Sequence, residues 1–552
     1  MAISRTSFMK LPEELVATVI MELPMLDILH CRLVCKRLNN LVQSSSNIKY
    51  KIELSAHGLV SCPASKISAA SALKMLRDQQ ARWRRCEWGN QTEIILGGGC
   101  RTYDLRHGIW AYGQSDEQLT DDMLLDYTKK ITCYKLGGVD RGIKCKEWES
   151  WSSWSLDDLK LDIRDFTIDP VIDMLAMVVQ LSDESKSPFQ VLLRKLSDGE
   201  PHPLGGKTVL DLEMPCTIPA NCTFTMQLQG YSLGVLVRQD ASETDWDYFF
   251  VWDWRTGKLN MSQHAENSSF DDFAFVDSTT IMLTVLANPV TLQIWRFDEP
   301  TDEPKLSPVG IFAMPKPALN HAYLEMHFDG GPSASPGGPR TLDGTPYALA
   351  PVPKILSISF TVLETDAELQ ESEAENFTMV MQPSLMLKVL AKKQNPLQRH
   401  ADHILEWGQW GPQCTRWIPQ TISSLNWEPC SVGGRFVLVA PAWRDEPDDE
   451  EGLHFIDLPQ VIRLYDFRPE IVRRYKGQEL GKNETLVMEQ TVISKDNTFE
   501  EDVYSSLPYH LATSRELPYQ VSGVMIDEGH LVCTKGVSED DDDWQKLLVL
   551  SF

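Results

Sequence analysis

Apolar residues recur at helical spacing near the start of the chain. Pro12 stands where the first turn of a helix tolerates a missing N–H, and Glu13 and Glu14 suit the positive end of the helix dipole. The apolar positions that follow form one stripe: Leu15, Val16, Val19, Ile20 and Leu23. The pattern predicts a helix that ends at Pro24, because proline breaks the hydrogen-bond ladder.

A second apolar stripe predicts another helix, with Asp27 able to cap its start. Its apolar positions are Ile28, Leu29, Leu33, Val34, Leu38, Leu41 and Val42. The serines at 44–46 are expected to end it. Two or three such short helices bury too little apolar surface to be stable alone, which implies a partner.

Residues 68–88 are rich in good helix formers and predict a connecting helix, with Ala69, Ala72, Leu76 and Trp83 close to one face. Its basic cluster is Lys74, Arg77, Arg82, Arg84 and Arg85. The cluster could contact nucleic acid or a membrane. We favour a helix that lies against an acidic body, with Trp83 as its apolar anchor.

Beyond residue 93 the helical period gives way to short alternating or apolar runs bounded by Gly, Pro, Asp or Ser, a pattern typical of β-strands. The runs are Glu93–Leu96, Asp165–Ile168, Met174–Gln180, Phe189–Leu196, Leu233–Arg238, Tyr248–Trp254, Thr280–Leu286, Val290–Phe297, Ile355–Val362, Phe377–Met381, Arg435–Ala440, Val461–Phe467, Val521–Ile526 and Leu531–Lys535. The chain is therefore predicted to be mainly β.

Several of these strands resemble one another. The runs that begin at Phe189, Tyr248, Val290 and Val461 share an apolar strand followed by a charged turn. They resemble blades of a WD-type β-propeller, and Val251-Trp-Asp-Trp254 is nearest to the strand signature of that family. At ~40–50 residues per blade, the length suggests about seven blades of a degenerate propeller. Two ordinary β-sandwiches are the alternative.

The N-terminal residues resemble the F-box, a small helical domain. The resemblance covers residues 8–52 and rests on Leu11-Pro12-x-Glu14-Leu15, Ile20, Leu23, Asp27-Ile28-Leu29 and Val34-Cys35-Lys36-Arg37-Leu38. It implies docking onto the Skp-type adaptor of cullin-based ubiquitin ligases. By resemblance, the adaptor-binding residues are Leu11, Pro12, Leu15, Ile20, Val34 and Leu38. F-boxes commonly place Trp at the position of Leu38, so this chain offers less contact area there.

The predicted organisation is an F-box domain at 8–52, a connecting helix within 53–90 and a propeller-like substrate-binding domain at 91–552. This arrangement resembles F-box proteins of mushroom-forming fungi. It implies a non-catalytic subunit of an SCF ubiquitin ligase, with a Skp-type adaptor, a cullin scaffold and a protein substrate as partners. A propeller enzyme or a scaffold unrelated to ubiquitin is the alternative.

Charge separates the two parts of the chain. The 552 residues contain 52 Lys and Arg against 78 Asp and Glu, a net charge of −26. Residues 1–90 contain 13 Lys and Arg and 7 Asp and Glu, a net charge of +6, so residues 91–552 carry −32. An acidic body repels phosphate backbones, so we expect no nucleic-acid partner. If its field matters, it favours basic partners.

The expected location is the cytoplasm or nucleus. No apolar run reaches the ~18–20 residues that span a bilayer, so no membrane partner is expected. The N-terminus lacks the apolar segment of a secretory signal, and the 12 cysteines, without a C-x-x-C pair, are expected to be thiols.

Motifs for bond chemistry are weak in this sequence. Gly206-Lys-Thr208 resembles the end of a phosphate-binding loop, but Pro201 stands at the position of the first glycine. His400 and His403, with Asp402, could hold zinc only if further ligands came from elsewhere. No nucleophile has a locally placed base. We therefore predict no catalytic residue, no metal and no cofactor.

Tryptophans cluster at residues 407–427, in a stretch that looks like a loop. Most are expected to pack between blades. Because exposed Trp and Arg are frequent at binding hot spots, Trp410, Arg416 and Trp417 are the predicted substrate contacts. The Gly- and Pro-rich segment 329–346 and the acidic segments 364–375, 445–451 and 539–543 are predicted to be mobile loops, with the acidic ones simply solvated.

Overall fold

The computed structural model places a small helical domain beside a ring of β-sheets. It describes residues 8–96, 100, 102–115, 127–137, 153–157, 159–181, 188–214, 222–239, 247–265, 268–297, 307–330, 335, 338, 341–342, 344–352, 355–365, 374–393, 403–419, 430–442, 458–495, 498–535 and 546–552. The acidic segments predicted at 445–451 and 539–543, and most of 364–375, lie outside these residues.

Four helices form the N-terminal domain: α1 (Glu13–Met21), α2 (Met25–Val34), α3 (Lys36–Ser44) and α4 (Ser46–Ala56). Their shared core consists of Val16, Ile20, Ile28, Leu38, Leu41, Val42 and Ile48. The single helix predicted across residues 28–42 is wrong, because Cys35 is extended (φ −161°, ψ 162°) and separates α2 from α3. Helix α2 also begins earlier than predicted, so Asp27 lies in its first turn rather than at its cap.

A short strand, β1 (Leu59–Ser61), leads to the connecting helix α5 (Ala69–Arg85), which confirms the predicted helix. Ser68 caps α5, since its hydroxyl accepts a hydrogen bond from the Ser71 N–H at 3.3 Å. Helices α4 and α5 pack through Tyr50, Leu54, Ala72, Leu73 and Leu76. Helix α4 thus continues past the predicted domain boundary at residue 52.

The rest of the described chain forms seven sheets of four or five strands, which we number as blades. Blade 1 contains β3 (Tyr103–Arg106), β4 (Ile109–Gln114), β5 (Lys130–Lys135) and β6 (Ser153–Leu156). Blade 2 contains β7 (Asp162–Asp169), β8 (Met174–Gln180), β9 (Phe189–Lys195) and β10 (Val209–Asp211). Blade 3 contains β11 (Cys222–Gln229), β12 (Ser232–Gln239), β13 (Tyr248–Asp253) and β14 (Lys258–His264).

Blades 4 to 6 carry the longer insertions. Blade 4 contains β15 (Ser269–Asp277), β16 (Thr280–Leu286), β17 (Thr291–Arg296), β18 (Gly310–Ala313) and β23 (Ile404–Leu405). Blade 5 contains β19 (His321–Phe328), β21 (Leu356–Glu364), β22 (Ala374–Met381) and β24 (Thr415–Pro419). Blade 6 contains β25 (Ser431–Val432), β26 (Arg435–Pro441), β27 (Gln460–Asp466), β28 (Glu484–Val487) and β31 (Tyr509–Thr513).

Blade 7 closes the ring by combining both ends of the propeller sequence. It contains β32 (Gly523–Ile526), β33 (His530–Thr534), β34 (Lys546–Ser551) and β2 (Asn90–Ile95). Strand β2 pairs antiparallel with β34 in the register Thr92 to Val549. The predicted mainly β fold, with a helical domain before a seven-bladed propeller, is confirmed.

The remaining elements are insertions between blades: α6 (Pro383–Lys393), α7 (Trp407–Cys414), α8 (Pro469–Tyr475) and the ribbon of β29 (Thr491–Ile493) and β30 (Val503–Ser505). The first strands of consecutive blades contact one another from β3 to β19, so they line the axis of the ring. Each of the predicted apolar runs corresponds to a strand.

Described residues between β19 and β21 contact the propeller face formed by the turns between first and second strands. Ser335 donates to Asp169 of blade 2 at 2.8 Å, and the Pro351 carbonyl accepts from Gln229 of blade 3 at 2.7 Å. Strand β20 (Tyr347–Leu349) pairs with β1. Described residues of this segment are therefore bonded to blades 2 and 3 and to β1, and the mobility predicted for 329–346 stays a prediction.

Aromatic stacking fixes α5 on the propeller. The Trp83 ring stacks on the C-terminal Phe552, with ring centroids 3.8 Å apart and an interplanar angle of 7°. The Arg435 guanidinium of blade 6 lies 4.6 Å from the centroid of the Trp83 ring. Trp83 and Phe552 are both buried. The basic helix therefore lies against the propeller with Trp83 as its anchor, as the sequence predicted.

Ion pairs join the helical domain, α5 and blade 6. Glu53 of α4 accepts hydrogen bonds from Arg77 of α5 at 3.0 Å and from Arg474 of α8 at 2.9 Å. Arg84 of α5 forms a bidentate pair with Glu484 of β28 at 3.0 and 2.9 Å. A bidentate guanidinium–carboxylate pair fixes orientation as well as distance. The helical domain is thus held against the propeller at several points.

We expect Phe552→Ala to destabilise the propeller by roughly 3–5 kcal/mol, because it removes a fully buried ring from the seam between α5 and blade 7. The free energy of unfolding of the full chain in urea measures this loss. Phe8→Ala is the matched control, since Phe8 is exposed and its truncation should stay within about 0.5 kcal/mol. Equal effects of the two changes would contradict the role assigned to Phe552.

His57 makes the junction sensitive to acid. Burial, helped by the nearby Arg468 and Arg435 and opposed by Glu53, lowers the pKa of His57 from 6.5 to about 4. The unfolded chain therefore binds a proton more readily between these pH values, so this contribution to stability is complete above pH 6.5 and declines as the pH falls toward 4. The full contribution is about 3 kcal/mol.

His57→Gln should flatten the pH dependence of the unfolding free energy between pH 6.5 and 4. The measurement is a series of urea titrations of the full chain across this range. His30→Gln is the control, because His30 is exposed on α2. If the two variants retain the same slope as the parent protein, His57 is not the titrating group.

Candidate functional site

Exposed apolar side chains concentrate on α1 and α2 and on Phe8, which precedes them. Of the 17 large apolar side chains that are strongly exposed among the described residues, six lie between residues 8 and 34: Phe8, Leu15, Val19, Leu26, Leu33 and Val34. We call this set the apolar face. Leu33 and Val34, at the end of α2, are 84% and 71% exposed. A concentration of exposed apolar side chains on a small domain marks an interaction surface.

The structure separates the predicted adaptor-binding residues into two groups. Pro12, Leu15 and Val34 are exposed, and Leu11 is partly exposed. The Leu11 carbonyl accepts a hydrogen bond from Arg37 at 2.8 Å, which ties the start of α1 to α3. These four residues are available to a partner.

Ile20 and Leu38 are buried in the core of the helical domain, with 1% and 5% of their surface exposed. The prediction that they contact an adaptor directly is wrong, because they pack against Val16 and Ile28 instead. Sequence reasoning missed Val19, Leu26 and Leu33. The available signal was their position on helices too short to bury every apolar residue that they carry.

The predicted substrate contacts are also corrected. Trp410, Arg416 and Trp417 are buried, so they present no surface to a partner. The Trp410 indole N–H donates to the Ala313 carbonyl of blade 4 at 3.0 Å, and Trp417 packs edge-to-face on Phe360 of blade 5. Arg416 donates to the Leu507 carbonyl at 2.7 Å.

The reason for this correction is local structure. In the described part of the stretch read as a loop, residues 407–419, α7 packs between blades 4 and 5 and β24 is the outer strand of blade 5. The expectation that most of these tryptophans pack between blades is confirmed for Trp410 and Trp417. Trp427 lies outside the described residues.

Carboxylates on the first strands of the blades occupy the axial region. Asp104 of β3 accepts hydrogen bonds from the Thr167 hydroxyl at 2.8 Å and the Ile168 N–H at 3.0 Å. Asp272 of β15 accepts from the Phe273 and Phe328 N–H groups, both at 2.7 Å. These bonds connect neighbouring blades and satisfy backbone donors, which is a structural use of the carboxylates.

Burial perturbs the ionisation of this axial set. It raises the pKa of Asp165 to about 8, with a further contribution from Asp104, and raises the pKa of Asp272 to about 6. Such shifts occur at catalytic sites but also in structural networks. Asp165 accepts from the Phe166 N–H at 2.8 Å, which is a local backbone contact. The bonds between blades therefore give Asp104 and Asp272 a structural role.

Metal ligation receives no support from the part of the chain that the structure describes, where no group of three or more His, Cys, Asp or Glu side chains could hold an ion. His400 and Asp402, two members of the predicted zinc pattern, lie outside that part, and His403 is exposed. Among the described helices, none is both long and apolar enough to cross a membrane.

Comparison with known proteins finds a family match for the N-terminal helical domain. The F-box domain matches residues 8–50. The chain is similar to the WD40 β-propeller domain of Doa1, with 9% identity over 84% of this chain and 96% of that one and a TM-score of 0.33. It is also similar to the C-terminal WD40 domain of Sif2, with 8% identity over 83% and 98% and a TM-score of 0.33.

A structure of Drosophila Plexin A in complex with Semaphorin 1b shares 8% identity over 83% of this chain and 86% of that one, with a TM-score of 0.32. No curated protein matches this chain. The F-box match covers α1, α2, α3 and the first half of α4, which include the apolar face, and the seven sheets lie after it in the described part of the chain. The chain therefore contains an F-box domain at residues 8–50, followed in its described part by a seven-bladed β-propeller.

Proposed function

We propose that the protein is the substrate-recognition subunit of an SCF ubiquitin ligase. Its F-box binds a Skp-type adaptor, which connects it to the cullin scaffold, and its propeller binds a protein substrate. The observation that carries the proposal is the apolar face on α1 and α2. These side chains are exposed even though the F-box has a well-packed core of its own, so they are available to bury against another protein.

The F-box is attached to the propeller by more than a linker. Beyond the pairs made by Glu53 and Arg84, the Tyr50 hydroxyl of α4 donates to the Pro346 carbonyl at 2.9 Å. Arg468 of blade 6 donates to the His57 carbonyl at 2.8 Å. Such a subunit contributes to ubiquitin transfer only by holding the substrate near a reactive group on another protein. A fixed orientation between F-box and propeller suits this role.

The charge of the propeller supports a preference for basic partners. Residues 91–552 carry a net charge of −32. A field of this sign attracts basic surfaces and raises their rate of association at low salt. The substrate is therefore proposed to be a protein with a basic surface, and the chemistry of ubiquitin transfer to belong to partner subunits. The cytoplasm or nucleus remains the proposed location.

Leu33→Asp and Val34→Asp should each weaken adaptor binding by at least about tenfold. Each places a charge on the apolar face, and burying that charge without a partner costs several kcal/mol. Both side chains are exposed, so the F-box core should be unaffected. The measurement is the affinity of the full chain for a purified Skp-type adaptor by calorimetry.

Leu319→Asp is the matched control, because Leu319 is 89% exposed and lies in the propeller. It should bind the adaptor with the affinity of the parent protein. Failure of the parent chain to bind any Skp-type adaptor would refute the proposal. Equal affinities of the Leu33, Val34 and Leu319 variants would show that the apolar face is not the binding surface.

A further inference from the structure

A groove of about 670 Å³ lies between the F-box and helix α8 of blade 6. Its longer walls are helix faces, because their lining residues recur at helical spacing: Met25, Leu29 and Arg32 on α2, and Ile52 and Ala56 on α4. Residues from the end of α3, from α5 and from α8 complete the lining. A partner in this groove therefore touches the F-box and the propeller at once.

The base of the groove is apolar. Val42 and Ala56 are buried, Leu29 and Ile52 are partly buried, and Leu26 is 50% exposed. Covering such side chains removes apolar surface from water, which favours association. Leu26 also belongs to the apolar face, so the two surfaces adjoin at this residue.

Cations predominate among the charged groups that line the groove. They are Arg32, Lys49, Arg77, Arg473 and Arg474. Two carboxylates, Glu53 and Glu470, oppose them. Lysine and arginine are charged at neutral pH, so counting both carboxylates as ionised gives the smallest possible excess, which is three positive charges.

Two of these cations, Lys49 and Arg473, form no ion pair in the described part of the chain. Glu53 is already used. Although burial raises the pKa of Glu53, its hydrogen bond with His57 and the nearby Arg474 lower it to about 2, and its charge is shared by the two arginines that flank it. Lys49 and Arg473 are therefore available to pair with carboxylates of a partner.

The open shape of the groove favours a protein over a small molecule. Small-molecule sites bury most of their ligand, roughly 70–90% of its surface. Here Arg77, Arg473 and Arg474 are exposed, so a small ligand would keep much of its surface in water. A nucleic acid would match the charge, but its phosphates would gain nothing from the apolar base.

Dimensions and charge specify the chemistry of the partner. The lining residues of α2, from Met25 to Arg32, span ~10 Å, or about two turns of a helix. An apolar groove between helices suits an amphipathic helix, whose acidic residues can pair with the cations at the sides. Residues 91–552 carry −32 and attract basic surfaces, so this partner differs in chemistry from the proposed substrate.

We propose that the groove binds an acidic amphipathic helix of a partner protein. Its apolar stripe covers Leu26, Leu29 and Ile52, and its carboxylates pair with Lys49 on the F-box and Arg473 on α8. The groove is thus a second docking surface, beside the apolar face proposed for the adaptor. Because one helix contacts both parts, its binding also stabilises the attachment of the F-box to the propeller by mass action.

The test uses the full chain and a fluorescently labelled peptide of about 18 residues, five helical turns, with leucines at helical spacing and glutamates elsewhere. One analogue has glutamine for every glutamate, and another has serine for every leucine. By fluorescence anisotropy, the parent peptide should bind at least about tenfold more tightly than either analogue at low salt, and its affinity should fall as salt is added. Equal affinity of either analogue, or tighter binding of a single-stranded oligonucleotide, would overturn the proposal.

Arg473→Glu and Lys49→Glu should each weaken binding of the parent peptide by at least about fivefold, because each places a carboxylate against the glutamates of the peptide. Arg473 is exposed, so that variant should keep the fold. Lys392→Glu is the matched control, since Lys392 is an exposed cation on α6 outside the groove and the change in net charge is the same. Equal losses in the Arg473 and Lys392 variants would refute binding in the groove.

Leu33→Asp separates this proposal from adaptor binding. Leu33 belongs to the apolar face but does not line the groove, so its change should alter peptide affinity by less than about twofold. A loss of peptide binding in Leu33→Asp, with none in Arg473→Glu, would place the peptide on the apolar face and overturn the proposal. Because peptide binding is measured without an adaptor, either proposal can fail while the other holds.

Discussion

The stacking of Trp83 on Phe552 is the contact on which the architecture depends. Trp83 lies near the end of α5, and β2 begins only a few residues later at Asn90. Strand β2 completes blade 7 by pairing with β34, which ends one residue before Phe552. Ring closure and F-box attachment therefore use the same short piece of chain. A propeller that closes in this way fixes the direction of α5, and α5 in turn fixes α4 through their shared core.

Charge acts in this protein through specific pairs rather than through a general attraction. The sequence shows a basic N-terminal part and an acidic remainder, and this contrast alone predicts only that the two lie together. The structure shows which charges are used: Arg84 with Glu484, and Arg77 and Arg474 with Glu53. Exposed ion pairs contribute little free energy, but bidentate geometry and partial burial make these pairs directional. They determine orientation, while Trp83 and its neighbours provide the apolar burial.

The strands that the sequence predicted best are those with the longest apolar runs. The runs at Met174–Gln180 and Thr280–Leu286 are continuous and buried on both faces, and the structure gives them the same bounds. Blade 1 was not predicted, because β3, Tyr-Asp-Leu-Arg, alternates apolar and charged residues over only four positions and is too short to stand out. Strand β20 forms only by pairing with β1, which is nearly 300 residues away. Local sequence pattern cannot predict a strand that forms only because it pairs with a distant one.

In the candidate site, too, local sequence pattern does not distinguish exposed apolar residues from buried ones. Leu15 and Ile20 look alike in a nine-residue amphipathic pattern, yet one is exposed and the other is in the core. Periodicity assigns residues to a stripe, but the neighbouring helices decide which edge of the stripe is covered. Here Val16, Ile20, Ile28 and Leu38 already fill the core, so Leu15, Val19 and Leu33 stay exposed in the described part of the chain. Because the propeller holds α4 and α5 in place, the F-box can retain this exposed surface, and the free energy of burying it remains available for binding another protein.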